Sequence, residues 1–444
     1  MNNFKLSKFN HFFTNDNKKY VYNILSTSIM EIDDDVYNSL FNNKLGNLSN
    51  EYIKELTEEG FIVGESTDEV ANYQYFYDND RYVYNADILT VTFIPTYNCN
   101  LKCPYCYEGL NKVNKKIDIQ GIDSILKFIN NNIAESKEGL SIKKLIVSLY
   151  GGEPLLCKKE LIYFCNNVYK ISNQYNLPII FDMTSNFTLL DDEIIDLIKK
   201  YKIIVQVSID GVKASHDTRR IYKNGNGTYD VILNNLKKMY EQGLKNQLTI
   251  RVNLDKETMS QADEIYDLFS MYSNDVYFGI LAHYSGFNDG YENKCMDSEC
   301  SNHLFVDKIN DIYQTKKNYL AQNFGKQGAC TLNSKNKFFI DCNLDVYKCD
   351  LLINHKECKV GTIDQDGNLL LNDNYFKQMC HTAFKNEKCR NCKFLPLCGG
   401  GCAAQAYINK NMNDGNIDLY HCEYNDDKLN MLLIDYVKRV DSNE

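Results

Sequence analysis

The chain has 444 residues, 44% of them hydrophobic and 24% charged, which is enough to bury a large core in two or three domains and excludes a disordered tail or a mini-protein. Lys and Arg total 49 against 59 Asp and Glu, a net charge of -10 with no basic tract, so electrostatic binding to nucleic acid or to an anionic membrane is disfavoured. The opening MNNFKLSKFN has no apolar h-region and no apolar run approaches the roughly 18 residues of a membrane span, so the expectation is a soluble cytoplasmic protein.

In residues 1–85, KKYVYNIL and SIMEI read as strands, and DDDVYNSLF and NEYIKELTEEG as helices with Asp or Asn starts and a Gly stop. This is a small α+β module without cysteine, suited to an adaptor role. From Ile88 the pattern changes to apolar strands at 88–94, 144–150, 179–185, 203–209, 248–253 and 276–281. Helical patterns lie between them at 118–137, 158–175, 191–200, 228–242 and 259–272. Six β/α units over 86–285 predict an α/β fold, a partial (β/α)6 barrel of the TIM type, whose functional residues stand at the C-terminal ends of the strands. Residues 286–325 read as a bridge with a helix around HLFVDKINDIYQT, and residues 326–444 as a Cys-rich domain with strands KFFID and DVYKC and a final amphipathic helix, DKLNMLLIDYVKRV.

Seventeen cysteines in a chain of this size point to metal or redox chemistry rather than a disulfide scaffold. Cys99, Cys103 and Cys106 directly follow the first barrel strand. Three thiolates are one short of the usual ligand set of a four-iron cluster, so one iron would stay open to a small molecule; a zinc site completed elsewhere, or plain buried thiols, would read the same. The second strand ends in Tyr150-Gly151-Gly152-Glu153-Pro154, where glycines admit a close ligand and a carboxylate can hold an ammonium group, unless the segment is only a turn. Ser185-Asn186 ends the third strand, and Ser208-Ile-Asp210-Gly211 ends the fourth, followed by His216-Asp217-Thr-Arg219-Arg220. Arg251 lies in the fifth strand, where burial demands a partner carboxylate, from a ligand or from an internal salt bridge.

CxxxCxxC after strand one, GGEP after strand two and SxDG…HDxxR together resemble the radical S-adenosylmethionine (SAM) enzymes over roughly residues 86–285. The resemblance implies that Cys99, Cys103 and Cys106 hold three irons while the amino and carboxylate groups of SAM chelate the fourth. Gly151, Gly152 and Glu153 would meet the amino group, and Ser208 and Arg220 the carboxylate and ribose, with Arg219 a rival for Arg220. Ser185 is counted among the cofactor contacts, and Tyr105 would face the adenine through its backbone. The run Cys389, Cys392, Cys398, Cys402 and the late Cys422 resembles the auxiliary-cluster extension called SPASM. That likeness implies one cluster on Cys389, Cys392, Cys398 and Cys422 and another on Cys330, Cys349 and Cys402, with Cys342, then Cys358, or an open position as fourth ligand. Three 4Fe-4S clusters result, one binding SAM and two auxiliary; a pair of zinc knuckles is the alternative. The pattern expects Gly five residues before Cys349, where this chain has Leu344. Cys157, Cys165, Cys358 and Cys380 are expected as small buried apolar residues, whereas Cys295 and Cys300 are better placed to reach the barrel mouth.

The resemblance further implies that the reduced cluster, fed by a flavodoxin or ferredoxin, donates an electron to the SAM sulfonium, and that the resulting 5′-deoxyadenosyl radical takes an unactivated hydrogen. Among SPASM enzymes the chain most resembles maturases of ribosomally made peptides. That implies a winged-helix-like leader-peptide recognition module at 1–85, and oxidative modification of a precursor, with Cys sulfur-to-carbon thioether cross-links as the candidate bond. Two alternatives stand beside it. One is an anaerobic sulfatase maturase forming formylglycine, with Asp350, directly after Cys349, as general base rather than an exposed turn residue; the other is a non-catalytic zinc-binding interaction protein.

Overall fold

The structure, a computed structural model, describes residues 4–84, 86–106, 108, 114–135, 142–281, 290–296, 308–309, 312, 330–353, 355–411, 422 and 424–441. Most of the expected bridge, its helix and Cys300 lie outside the described residues. Two compact units emerge, one of residues 1–84, 320–330 and 381–444, the other of residues 85–319 and 331–380, so the expected Cys-rich domain of 326–444 is divided between them.

In the first unit, β1 (Phe4–Leu6) pairs with β5 (Ile62–Gly64), and β2 (Asn10–Asn15), β3 (Lys18–Asn23) and β4 (Ile29–Ile32) form an antiparallel meander. Asp16 and Asn17, at φ 46° and 66°, form the two-residue turn between β2 and β3, a left-handed pair that Asp and Asn tolerate. Asp33, Ser49 and Asp68 cap the helices Asp34–Phe41, Asn50–Glu58 and Glu69–Asn79 by accepting backbone N–H groups. The strand Asn10–Asn15 and the helix Glu69–Asn79 were not legible in the sequence. The module does not keep its core to itself. Phe9, Phe13, Tyr22 and Tyr73 share one apolar core with Phe384, Leu395, Leu397, Leu429 and Leu433, and the Tyr73 hydroxyl donates to the Pro396 carbonyl at 3.3 Å. Cys389, Cys392 and Cys398 pack against this core. Between Cys398 and Cys402 the chain turns through Gly399, Gly400 and Gly401, all with left-handed φ, which explains three consecutive glycines.

The second unit holds β6 (Ile88–Ile94), β7 (Lys144–Leu149), β8 (Ile179–Ser185), β9 (Ile204–Ser208), β10 (Leu248–Leu254) and β11 (Asp275–Ile280), all parallel and neighbours in chain order. Helices Ile119–Ala134, Lys158–Gln174, Asp192–Tyr201, Tyr229–Glu241 and Ala262–Ser270 connect them, within two to three residues of the expected bounds. Val91, Val147, Phe181, Val205 and Ile250 are buried in the sheet, as parallel strands covered on both faces require. The sheet does not stop at β6. β12 (Lys337–Asp341) lies parallel beside it, and β13 (Asp345–Tyr347), β14 (Gly361–Ile363) and β15 (Leu369–Leu371) follow antiparallel. Phe338, Phe339 and Ile340 are all buried, so KFFID is an interior strand covering the β6 edge rather than part of a separate domain. No described helix is long and apolar enough to cross a membrane.

The β12–β13 turn forms without the expected glycine. Leu344 takes φ 65°, its N–H donates to the Asp341 carbonyl at 2.9 Å, and the Asp341 carboxylate accepts the N–H groups of Asn343 and Asp345 at 2.8 and 3.0 Å. A side chain in this conformation costs about 1 kcal/mol. Leu344→Gly should therefore be about 1 kcal/mol more stable in denaturant melts than Leu344→Ala, the reverse of the order expected at an ordinary β position. The shared core gives a second expectation. A chain lacking residues 1–84 strips the partners of Phe384, Leu395 and Leu397, and limited proteolysis should cut within 381–411 about tenfold faster than in the full chain.

Candidate active site

The Cys loop follows β6 and is held from three sides. The N–H groups of Gly152 and Glu153 donate to the carbonyls of Thr96 and Asn98 at 3.1 and 3.0 Å. A Cβ on Gly151, at φ 128°, would lie 2.4 Å from the Thr96 oxygen, and one on Gly152 would lie 2.2 Å from the Tyr97 oxygen. The glycines thus admit the Cys-loop backbone itself, a use that their motif did not reveal. From β8, the Asn186 amide donates to Cys99 Sγ at 3.6 Å and to Asn100 Oδ1 at 2.8 Å. From the segment after β9, Ile221 accepts the Lys102 N–H at 2.9 Å and Lys223 donates to the Asn100 carbonyl at 3.2 Å.

Cys99, Cys103 and Cys106 all line one cavity of about 350 Å³ at the C-terminal ends of the strands. Burial pushes the Cys103 thiol up to about 12, against the pull of the Arg220 guanidinium. Three thiols on one wall beside a guanidinium suit a four-iron cluster held through three thiolates, whose negative charge the cation balances. Among the described residues, no three His, Cys, Asp or Glu side chains gather closely enough to cage a single ion.

Glu153, expected to meet an amino group together with Gly151 and Gly152, is held by three donors. It is fully buried and absent from the cavity wall, and its carboxylate accepts from Leu155 N, Ser185 Oγ and Asn186 N at 3.0, 2.8 and 2.7 Å. Burial raises its pKa while those donors oppose the rise, and the group ties the end of β7 to β8. Gly151 and Gly152 remain on the wall, as do Ser185, whose hydroxyl is engaged by Glu153, and Ser208.

The two neighbouring arginines separate cleanly. Arg219, which is not on the cavity wall, is buried against Asp255 at 3.0 Å and donates to the carbonyls of Asp210 and Asn253. Arg220 is on the wall, 3.8 Å from Asp210 Oδ2 and 3.0 Å from the Tyr105 hydroxyl. Burial disfavours its charge, but Cys103 and Asp210 outweigh that and raise its pKa. Tyr105 also donates to Asp210, so its side chain has a role in fixing Arg220 that the sequence reading, which used only its backbone, did not assign. Asp210 in turn accepts the Asn253 N–H and amide at 3.1 and 3.0 Å.

His216 and Asp217 fold the segment that carries Arg220. His216 Nδ1 accepts the Asp210 N–H at 3.1 Å, so Nε2 bears the proton and donates to Thr228 Oγ1 at 2.9 Å, whose hydroxyl donates to the Arg220 carbonyl at 2.6 Å. Asp217 Oδ1 accepts the N–H groups of Thr228 and Tyr229 at 2.8 and 2.9 Å. The HDxxR stretch is therefore a positioning knot.

Asp350 is exposed and lines the same cavity, beside Leu351; the Cys349 thiol donates to Asp350 Oδ1 at 3.6 Å. Cys342, Cys349 and Cys358 belong to the barrel unit, and Cys330, Cys389, Cys392, Cys398, Cys402 and Cys422 to the other. Cys342 has the surroundings of a core thiol, packed in the main apolar cluster with burial pushing it up to about 11. In the other unit the Gln405 N–H donates to Cys402 Sγ at 3.5 Å, the N–H of Cys392 donates to the Cys389 carbonyl at 3.0 Å, and Cys330 and Cys422 are exposed. Cys157 and Cys165 are buried as expected. Two expectations fail: Cys295 is buried behind the wall against Leu281 and Tyr291, and Cys380 is exposed because it sits at the C-cap of the surface helix Asp373–Met379.

Residues 93–269 match the profile of the Radical SAM superfamily. The chain is 24% identical over 349 residues to a cysteine-type anaerobic sulfatase-maturating enzyme of Clostridium novyi, covering 73% of this chain and 90% of the relative. It is 22% identical over 445 residues to the radical SAM cyclopropyl synthase TigE of Paramaledivibacter caminithermalis, covering 91% of each. The fold is shared with native anSMEcpe with bound AdoMet and Kp18Cys peptide, at TM-score 0.63 and 19% identity over 80% of this chain and 99% of that one. It is also shared with Streptococcus suis SuiB bound to precursor peptide SuiA, at TM-score 0.53 and 16% identity over 92% of this chain and 97% of that one.

The knot carries a pH signature. Burial lowers the His216 pKa to about 4 from an unfolded value near 6.5, so the folded protein binds this proton less readily than the unfolded chain. Its contribution is complete above pH 6.5 and declines as pH falls toward 4, by roughly 3 kcal/mol in all. His216→Gln should be less stable than wild type at pH 7.5, and the gap between the two in urea melts should narrow as pH falls from 6.5 to 4.

Proposed function

The barrel of this chain is a radical SAM domain, and on that premise we propose that the protein is a radical SAM enzyme that oxidatively modifies a ribosomally made precursor peptide by C–H abstraction, joining a Cys sulfur to carbon. The observation that carries the reading is the three-thiol loop fixed on the wall of a cavity that also presents Arg220, Ser208 and Asp350. When bound, a four-iron cluster and SAM would supply one-electron reductive cleavage and, through it, hydrogen removal from unactivated carbon. Cys99, Cys103 and Cys106 would hold the metal, and the Arg220 guanidinium, fixed by Asp210 and Tyr105, would offset the negative charge of the cluster. The backbone of Gly151 and Gly152 and the hydroxyl of Ser208 offer polar contacts to the nucleotide. Asp350 Oδ receives the proton of the peptide thiol.

Cys389, Cys392, Cys398 and Cys422, all in one unit, are assigned to an auxiliary cluster that would accept the electron left after bond formation. A flavodoxin or ferredoxin delivers the first electron. Residues 1–85 capture the leader peptide as a strand added to an edge of the β2–β3–β4 sheet.

A second reading, formylglycine formation, is favoured by the position of Asp350 on the cavity wall directly after Cys349 and by the sulfatase-maturating relatives. Both chemistries oxidise a Cys residue, but only one keeps its sulfur. Incubating anaerobically reconstituted enzyme with SAM, dithionite and a Cys-bearing precursor peptide should yield a product lighter by two hydrogens that retains sulfur and no longer reacts with iodoacetamide. A product that has lost sulfur supports the second reading, and unchanged peptide mass counts against both. Asp350→Asn should lower product formation by about 10²-fold without lowering peptide-independent SAM cleavage.

A further inference from the structure

The cysteine run at 389–402 is held by more than its own backbone. Lys8, two residues before β2, donates from Nζ to the Arg390 carbonyl at 2.6 Å, and Arg390 stands in the gap between Cys389 and Cys392. The Tyr73 hydroxyl reaches the Pro396 carbonyl, between Cys392 and Cys398. All of these residues belong to one compact unit. The backbone of Lys8 is fixed as well as its tip. Its N–H donates to Glu69 Oε2 at 3.0 Å, and the other oxygen of that buried carboxylate accepts the Ser7 hydroxyl. Phe9, next in the chain, is fully buried in the core against which Cys389, Cys392 and Cys398 pack.

The Lys8 side chain therefore starts from a fixed point, and its ammonium group ends at the loop between two thiols. Burial lowers its pKa, while Glu69, Asp68 and Cys392 pull it back up, so its charge acts within electrostatic reach of the Cys392 sulfur. Lys393, which follows Cys392, is matched by Asp426. In the reading above, Cys389, Cys392, Cys398 and Cys422 carry an auxiliary cluster. Their surroundings fit one: the first three sit half-buried on a single apolar core, with a cation held at the loop between the first two. A cluster held by thiolates is an anion that becomes more negative on taking up an electron, and nearby charge and hydrogen bonds set its potential.

We infer that Lys8 is a positioning residue of the auxiliary cluster: it fixes the Cys389–Cys392 loop through the Arg390 carbonyl, and its charge raises the potential at which the cluster takes up the one electron left over by bond formation in the peptide. The inference rests on the reading above, in which this unit holds a cluster. The amino-terminal module is then part of the cluster's surroundings as well as the place where a peptide docks. Lys8 is exposed, so water screens its charge and the effect is a few-fold.

The test is an anaerobic redox titration of the reconstituted full-length chain, followed by electron paramagnetic resonance. Cys99→Ala, Cys103→Ala and Cys106→Ala are combined so that only auxiliary signals remain, and Lys8 is kept or changed by Lys8→Met or Lys8→Arg, with iron measured in each. At the midpoint of the chain that keeps Lys8, Lys8→Met should lower the ratio of reduced to oxidised cluster about threefold. Lys8→Arg should restore most of that ratio, and the gap should shrink in about 1 M KCl. Loss of iron in Lys8→Met with full iron in Lys8→Arg would also support the inference, because only the cation is then required. Equal ratios at equal iron content would overturn it, as would a fall that Lys8→Arg shows in full, or a loss of iron common to both variants. A chain that keeps Lys8 yet binds no auxiliary iron would instead overturn the reading beneath it together with the inference.

Discussion

The site depends on one close approach of backbone to backbone. At Gly151 and Gly152 the end of β7 comes so near the carbonyls of Thr96, Tyr97 and Asn98 that no side chain fits between them. That contact, with the N–H bonds from Gly152 and Glu153, fixes the three residues before Cys99. Everything else at the mouth is arranged around a loop that is already in place. Asn186 reaches Cys99 because Glu153 holds the start of the β8 loop, and the strand-end charges gather on the same side because all six parallel strands run the same way.

Charge at the mouth is layered. Asp255 and Asp210 lie behind the wall and each matches one arginine, so the buried carboxylates work inward, holding cations in place, rather than outward to a ligand. Glu153 follows the same logic with N–H and O–H donors in place of an arginine. The wall itself carries thiols, hydroxyls, amides, the guanidinium groups of Arg220 and Arg251 and the ammonium groups of Lys102 and Lys223, against the carboxylates of Glu108 and Asp350. Such a surface receives anions and metal more readily than it receives cations.

Much of this was legible in the sequence because the signals are local. Apolar strands alternating with amphipathic helices gave the barrel units to within a few residues, since each strand is buried on both faces and each helix on one. The thiols stood out by their spacing, whereas the roles expected of the glycine pair and of Arg220 came from the resemblance to radical SAM enzymes. What stayed hidden depends on contacts distant in the chain. No pattern in KFFID says that it joins the β6 edge across some 240 residues, and nothing in GGEP says that its carboxylate turns inward. Which of two adjacent arginines faces the cavity is likewise decided by Asp255, 36 positions from Arg219. The amino-terminal helix Glu69–Asn79 escaped because its apolar face is completed by Phe384 and its neighbours, not by anything nearby.

That shared core also sets an order of events during synthesis. The first 84 residues leave the ribosome with half of a core whose other half begins at residue 381. At about 5–20 residues per second the wait is roughly 15 to 60 s, in which aromatic side chains such as Phe9, Phe13 and Tyr73 have no permanent cover. The six parallel strands β6 to β11 need no such delay, because they emerge in the order in which they pair; only β12, which covers the β6 edge, comes later. The chain is thus built so that its Cys loop can close early, while the unit bearing the Cys389–Cys402 run becomes complete only after the barrel strands have emerged.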